Sequence, residues 1–459
     1  MLLVTARAHT DDGTAAQTVH PPERPELRSN RWQEDWSALS DPALRTRPLD
    51  RLKYLPLIAD DPRSFVSLGA NGRERLESND APGFGTRAMP DSYLLQRLQM
   101  HADVNFNAHW RLFVQVEDVR SISKADPSPT DRNPLDLRNA FVAYKVALGG
   151  GTLMARLGRQ DFAFEQQRFL SLRDGPNVRQ SFDAALLRYE RDDWEVSGFI
   201  SQPVQYRADE SFDDQSNRHL RFDLLRAEHH GLEDRSLSSF YARYAADGAD
   251  YPDGSGRERR DVIDVRFAGS AASWDWDVEG MLQQGSVGDA EVQAWALAGR
   301  AGYTFTQQPW SPRLGIQADS ASGDRRSGDG RIETFNPLFP NGSYSFSLAG
   351  YTGYVNLIQL KPSITIEPFV GLETTAAFGM LWRQRTSDAV YLQPNVPVAA
   401  TAGQPKRRTG TYAQLKAEWT LSRNVSIAAE LVHYAVAEVL RNAGGSDSNY
   451  AGFEVSFAW

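Results

Sequence analysis

The sequence has no cysteine and no long apolar run, and both absences remove whole classes of protein. Without Cys among its 459 residues, the chain can form neither a disulfide framework nor a thiolate metal site. No stretch approaches the roughly 18 apolar residues that a membrane-spanning helix needs, and the mean hydropathy is -0.50. An internal repeat or a Pro/Ser-rich linker that would divide the chain is also missing. The protein is therefore several domains or one large closed architecture, and helical membrane spans are excluded.

Short catalytic motifs are missing as well. Neither G-x-S-x-G nor H-E-x-x-H occurs. Residues 275–280, DWDVEG, resemble the opening of a calcium loop, but Ser286 stands where the bidentate Glu would be. His229 and His230 would point to opposite faces of an extended chain, which suits two solvated residues better than a metal pair. We therefore expect no enzyme activity, no metal site, no cofactor and no nucleic-acid partner.

What the sequence does contain is repeated alternation of apolar and polar residues. In 94–106, Leu98, Met100 and Val104 share one face of an extended chain, while Arg97 and Gln99 share the other. The segments 110–117, 274–279, 413–421 and 449–459 repeat the pattern, which does not fit the helical period. The alternation predicts many β-strands, each with an apolar face and a polar face.

The connections between these strands alternate in length. Short turns are predicted at 107–109, 148–151, 192–193, 270–273 and 422–424. Long polar loops are predicted at 78–90, 121–135, 163–182, 204–218, 247–257, 322–346 and 386–407, although the connection near 286–289 is short where a long loop is expected. One tight end and one elaborated end are typical of an outer-membrane barrel with periplasmic turns and extracellular loops.

We therefore predict an all-β fold, a transmembrane antiparallel β-barrel of about 18 strands in the outer membrane. A closed barrel pairs every backbone group between neighbouring strands, so its apolar faces can point toward lipid and lipopolysaccharide. We assign the barrel to residues 61–459. Residues 1–60 are predicted to be a periplasmic tail or an inward-tucked segment, and Ala6-Arg7-Ala8 allows residues 1–8 to be the remnant of a signal peptide or an ordinary tail.

The chain ends in Trp459, in register with the apolar face of its last strand. We expect its ring to lie in the aromatic girdle at the membrane interface and the last strand to be recognised by the barrel assembly machinery.

A barrel of this size leaves an aqueous lumen, so passage of a solute is the expected function. The inward face is predicted to carry Arg73, Arg75, Arg97, Arg111, Arg156, Arg188, Arg266, Arg300, Arg383 and Arg385. It is also predicted to carry the acids Asp103, Asp183, Asp264, Asp275, Asp277 and Glu418. Guanidinium groups bind carboxylates in bidentate fashion, which predicts an anion path. The alternative is that these charges pair with one another and merely fill the barrel.

Several segments resemble the alginate export porins of Gram-negative outer membranes. They include SLGANGRERLE at 67–77, QRLQMHADVNF at 96–106, RLGRQDFAF at 156–164, SLRDGPNVRQSFDAALLRY at 171–189 and TFNPLFPNGSY at 334–344. The resemblance implies a monomeric eighteen-stranded barrel that passes a polyuronate. The positions matching the family's charged motifs are Arg73, Arg75, Arg97, Arg111, Arg156, Arg159, Arg173, Arg179 and Asp183. A general or small-anion porin for carboxylate solutes remains the alternative.

The predicted loop at 322–346 combines charge with an apolar centre. Phe335, Leu338 and Phe339 would be costly to expose to water. We therefore expect this loop to fold over or into the mouth of the pore.

Overall fold

The chain forms one closed sheet of long antiparallel strands. The computed structural model describes residues 24–86, 90–162, 164, 166–231, 234–341 and 345–459. The possible signal-peptide remnant lies outside these residues. No helix in the described part of the chain is long and apolar enough to cross a membrane.

Eighteen strands, numbered β1 to β18 in chain order, make the wall. They are Phe65–Asn79, Asp91–Phe106, Trp110–Ile122, Asn133–Leu148, Gly151–Gln160, Phe182–Arg191, Trp194–Gln205, Leu220–His229, Arg235–Tyr251, Gly254–Ala271, Trp274–Val287, Ala290–Thr304, Arg313–Ala321, Leu357–Phe369, Leu372–Trp382, Arg408–Thr420, Val425–Val436 and Ser448–Ala458. Each strand pairs antiparallel with the next, and β18 pairs with β1 from Asn71↔Ala458 to Asn79↔Tyr450, which closes the barrel. The predicted fold class is confirmed.

Shorter elements lie outside this wall. Two-residue strands occur at Leu55–Pro56, Gln215–Ser216, Arg331–Ile332, Tyr391–Leu392 and Val396–Pro397. Short helical turns occur at Arg31–Gln33, Ser37–Ser40, Pro42–Leu44, Asp50–Lys53 and Glu438–Arg441.

The two ends of the barrel differ as expected. At the short-turn end, the connections after β2, β4 and every later even-numbered strand up to β16 are two to eight residues long. The long-loop end carries 161–181, 322–356 and 383–407, among others. The long loop predicted at 247–257 is wrong, because β9 and β10 continue to a turn at 252–253. The polar residues at 247–257 belong mostly to the two strands and are largely exposed to water. The polar sequence therefore indicated exposure and not an irregular backbone.

The two faces of the wall follow the predicted alternation. Leu187, Leu282 and Met100 point outward and are more than half exposed. On the same sheet, Arg97 and Arg266 point inward and are buried. A band of exposed apolar side chains therefore surrounds a polar interior, which is the arrangement that a lipid environment requires.

Two long loops fold into the interior and meet there. Leu170 of the 161–181 loop forms a parallel bridge with Phe339 of the 322–356 loop, and the Ser171 N–H donates to the Phe339 carbonyl at 3.1 Å. Phe335, Leu338 and Phe339 are buried, and the Phe339 ring packs against the rings of Phe182, Phe222 and Tyr244. The expectation that this apolar centre folds into the pore is confirmed.

The described N-terminal segment, residues 24–64, packs on the short-turn end. Trp36, Leu39 and Tyr54 form an apolar cluster that Phe65 of β1 completes. Leu55–Pro56 pairs with the start of β1, where β18 no longer reaches. The segment thus covers the open seam between the first and last strands. The division of the chain at residue 60 stays a prediction.

Trp459 departs from its expected position. The strand ends at Ala458, and the Trp459 backbone pairs with Ala70 at 2.8 and 2.9 Å. The indole ring centroid lies 5.1 Å from the Nζ of the buried Lys53. The ring therefore contacts the N-terminal segment, whereas exposed pairs such as Trp110 and Tyr144 supply the outward aromatic residues at this end.

Candidate solute pathway

Three predicted arginines converge on one acid of the 161–181 loop. Arg73 and Arg97 lie directly opposite each other on β1 and β2. Arg97 donates to an Asp174 carboxylate oxygen at 2.6 Å, and Arg179 donates to the same oxygen at 2.7 Å. Arg73 donates to the Asp174 carbonyl at 2.7 Å and to Asn177 Oδ1 at 3.1 Å. We call Arg73, Arg97, Arg179 and Asp174 the constriction cluster.

The constriction cluster carries more positive than negative charge. Burial alone would raise the pKa of Asp174, but the guanidinium groups of Arg179, Arg97 and Arg73 outweigh it and hold that pKa well below its usual range. The carboxylate is therefore ionised, with three cations around it. Glu454 lies 3.9 Å from Arg73 and offsets part of this excess, and we expect the remaining positive charge to favour a further anion.

Four other predicted residues are engaged with opposite charges. Arg75 contacts Glu77 at 2.5 Å, Glu430 at 2.6 Å and Glu454 at 3.1 Å. Arg111 forms a bidentate pair with Asp103, both distances being 2.8 Å. Arg159 binds Asp183 at 3.0 and 3.2 Å. These contacts match the filling alternative, in which lumen charges satisfy one another.

Three arginines have long or missing ion pairs with carboxylates. The nearest carboxylates to Arg188 are Glu195 at 3.6 Å and Glu190 at 3.7 Å. Among the described residues, Arg156 and Arg173 have no carboxylate within ion-pair distance. The guanidinium carbon of Arg173 lies 5.7 Å from the Phe339 ring centroid. Arg173 keeps partial solvent exposure.

Arg383 has a different role from the one predicted. It is fully buried, and its guanidinium donates to the carbonyls of Thr386, Asp388, Thr401, Gln404 and Lys406 at 2.5 to 3.1 Å. These contacts hold the 383–407 loop together. The structure places Arg383 inside a loop rather than along the lumen surface, because the strand ends at Trp382 and the chain turns away.

The sequence pattern missed several inward charges. Arg168 in the 161–181 loop is buried and contacts Asp277 and Glu279, both at 2.6 Å. Arg138 on β4 binds Asp161 at 2.9 Å. Alternation assigns no face to a loop residue, and Arg138 lies beside an irregularity in the β3–β4 register that interrupts the alternation. Arg226 and Arg260, by contrast, follow the alternation of their strands and could have been identified from it.

An N-terminal tryptophan also reaches the lumen. The Trp32 indole N–H donates to Asp161 Oδ1 at 2.6 Å, and the ring packs edge-on against Phe141 of β4. The Arg156 guanidinium carbon lies 4.2 Å from the Trp32 ring centroid. No signal in the sequence pointed to this contact, since residues 24–64 have no strand alternation.

Comparisons with known proteins identify related sequences and folds. A family model described as alginate export matches residues 64–454. No curated protein matches the sequence significantly.

Solved structures share the fold at low sequence identity. Pseudomonas aeruginosa OpdO has a TM-score of 0.59 and 12% identity over 89% of this chain and 98% of its own. The opdK outer membrane protein of the same organism has a TM-score of 0.58 and 11% identity over 86% and 98%. P. aeruginosa OccK2 (OpdF), solved in complex with glucuronate, has a TM-score of 0.55 and 12% identity over 86% and 97%.

Proposed function

Since the chain belongs to the alginate export family and is an outer-membrane channel, we propose that its solute is an anionic polyuronate such as alginate. The constriction cluster is the observation that carries this proposal. Arg97 and Arg179 there share one oxygen of the Asp174 carboxylate, and Arg73 donates to the Asp174 carbonyl. A uronate carboxylate would offer these guanidinium groups a further charged acceptor. The short-turn end then faces the periplasm and the long-loop end faces the outside.

The lumen arginines suit transient binding. Many of them already contact a carboxylate or a carbonyl, so a uronate can replace one acceptor with another at little net cost. Arg173 packs on the Phe339 ring, and Arg188 lies 3.6 Å from its nearest carboxylate. We expect these two arginines to bind the uronate carboxylate while it moves from one paired arginine to the next. A series of moderate sites lets a polymer advance, because no single site holds it tightly.

A small-carboxylate channel is the second candidate. The observation that favours it is the narrowing of the lumen by the 161–181 and 322–356 loops, which meet through Leu170 and Phe339. OccK2, whose structure contains glucuronate, shares the fold at 12% identity. A single uronate fits such a narrow passage more easily than a polymer does.

Channel block in planar bilayers tests the proposal. We expect uronate oligomers to block the current at lower concentration than glucuronate does, and neutral oligosaccharides of the same length to have little effect. Arg173→Gln should weaken the oligomer block several-fold. Arg243→Gln removes a charge from the exposed outer face and should leave the block unchanged. Equal block by neutral and anionic oligomers would contradict the proposal, and block by glucuronate alone would favour the second candidate.

A further inference from the structure

Residues 29–35 of the N-terminal segment extend into the lumen, and we call them the plug segment. Trp32 is buried there against Phe141 of β4. Its indole N–H reaches Asp161, which follows β5 at the long-loop end of that strand. The segment therefore extends well into the barrel from the periplasmic side.

The plug segment contacts three arginines of the proposed anion path. Arg111 donates to the Glu34 carbonyl at 3.2 Å, and Arg179 donates to the Ser29 carbonyl at 3.3 Å. Arg156 packs on the face of the Trp32 ring. A solute that uses these arginines must meet the plug segment first.

These contacts are of a kind that a carboxylate can replace. Both carbonyl acceptors are neutral and lie at long hydrogen-bond distances, whereas charge-assisted bonds to a carboxylate are shorter and stronger. The Glu34 carboxylate does not bind Arg111, because it pairs with Arg31 at 2.8 Å. An incoming uronate would therefore offer Arg111 and Arg179 better acceptors than the plug segment does.

Arg156 gives the strongest reason to expect that an anionic solute competes with the plug segment. It is 7% exposed, and within the described part of the chain its guanidinium has no hydrogen-bond acceptor. Its neighbours are the faces of Trp32 and Phe141, at 4.2 and 4.5 Å from the guanidinium carbon. A buried cation without acceptors is costly, although the aromatic faces offset part of that cost. An anion in place of Trp32 would supply the missing acceptors.

We propose that the plug segment is a displaceable plug, which competes with the anionic solute for Arg111, Arg156 and Arg179. The identity of the solute in this proposal rests on the proposed function; the plugging itself does not. The segment stays tethered after withdrawal, because Leu55–Pro56 pairs with β1 and Trp36 packs in the cluster around Phe65. Residues 29–35 can then leave the lumen without detaching from the barrel.

Single-channel recording in KCl tests the plug without any uronate. Trp32→Ala removes the Asp161 hydrogen bond and the contact with Arg156, so we expect the time-averaged conductance to rise at least two-fold. The same variant should bind uronate oligomers several-fold more tightly, because the competitor is weakened. Trp310→Ala is the matched control, since Trp310 is exposed in a periplasmic turn outside the lumen. It should behave like the parent.

A cysteine reporter keeps the test valid if Trp32→Ala assembles poorly. The natural chain has no cysteine, so Asn30→Cys carries a single thiol at a buried position of the plug segment. We expect an impermeant thiol reagent to modify it slowly in the assembled channel. Uronate oligomers should accelerate the modification, and neutral oligosaccharides should not.

The outcomes separate the plug from the choice of solute. Unchanged conductance in Trp32→Ala, or fast Asn30→Cys modification in the absence of solute, would overturn the plug. A conductance increase in KCl without any uronate effect would support the plug and remove the polyuronate assignment. Uronate block with unchanged Asn30→Cys modification would support the assignment and overturn the plug.

Discussion

At the scale of single residues, the lumen contains two kinds of arginine. Arg75 and Arg159 are held by carboxylates, so they stabilise the interior of the barrel, whereas Arg111 binds both Asp103 and the Glu34 carbonyl of the plug segment. Arg156 and Arg173 pack on aromatic rings and keep donors for an incoming anion. The filling and path interpretations of the arginines therefore apply to different members of the set.

Arg383 should matter for the stability of its loop and not for selectivity. Arg383→Ala leaves five loop carbonyls without their donor, two of them in buried hydrogen bonds, which should cost roughly 3 kcal/mol or more. We expect the folded band on a heat-modifiability gel to unfold at lower temperature, with ion selectivity of the folded channel unchanged. Arg385→Ala is the control, since its side chain has no hydrogen-bond partner among the described residues. A change in ion selectivity in Arg383→Ala, with normal stability, would show that Arg383 acts in the solute pathway.

Lys53 should make seating of the N-terminal segment depend on pH. Burial first, and then repulsion from Arg31, lower the pKa of Lys53 from 10.5 to about 7. Attraction to Glu34 and contacts with the Trp36 and Trp459 rings offset this only in part. The charged and titratable groups around it are Arg24, Arg31, Glu34, His101 and Asp103.

The sign follows from proton binding. When residues 29–35 leave the lumen, Lys53 loses part of its burial and its neighbours Arg31 and Glu34, and its pKa moves from about 7 back toward 10.5. Seating of these residues therefore strengthens as pH rises between these values, by at most about tenfold per pH unit. We expect the conductance in KCl to fall from pH 7 to pH 9 in the parent. Lys53→Met should abolish this dependence. A conductance that rises with pH in the parent would show that the effect has another origin.

At the scale of elements, the 322–356 loop narrows the channel through one aromatic anchor. Phe339→Ala removes the ring that packs against Phe182 and Phe222, which should cost roughly 3–5 kcal/mol of loop packing. We expect a larger and noisier conductance from a barrel that still assembles. Phe212→Ala, in an exposed part of another loop, is the control. An unchanged conductance would mean that the Phe339 ring does not hold the 322–356 loop in the lumen.

The last strand should be required for closure. Deleting residues 457–459 removes the pairing of Phe457 and Ala458 with β1 and of Trp459 with Ala70. We propose that the assembly machinery recognises this strand, and we expect the truncated chain to be absent from the outer membrane. Normal amounts of heat-modifiable protein there would exclude both roles. Trp459→Ala, which keeps the backbone pairing, separates the ring from the strand.

The sequence could predict the strands of the barrel wall but not the loops and the N-terminal segment that fold inside it. Period-two alternation assigned Arg97 and Arg266 to the interior correctly, because each strand residue has only two faces to choose from. It could not place Asp174, Arg168 or Trp32, since a loop or an N-terminal segment has no such constraint. The pairing of each lumen charge depends on how these segments fold inward, which only the structure shows.

At the scale of the whole molecule, a closed eighteen-stranded barrel is narrowed from both ends. The 161–181 and 322–356 loops enter from outside, and the plug segment enters from the periplasm. They meet the wall where Arg73, Arg97, Arg111 and Arg156 project inward. Access to these arginines, rather than the width of the barrel, should therefore determine what passes.

The reversal potential of the parent channel in a KCl gradient tests this account most directly. Low-dielectric walls limit screening, so the partly uncompensated guanidinium groups should concentrate anions in the lumen. We predict a reversal potential with the sign of chloride preference, which moves toward zero when uronate oligomers occupy the arginines. A reversal potential at zero, or with the sign of potassium preference, would contradict the arginine path.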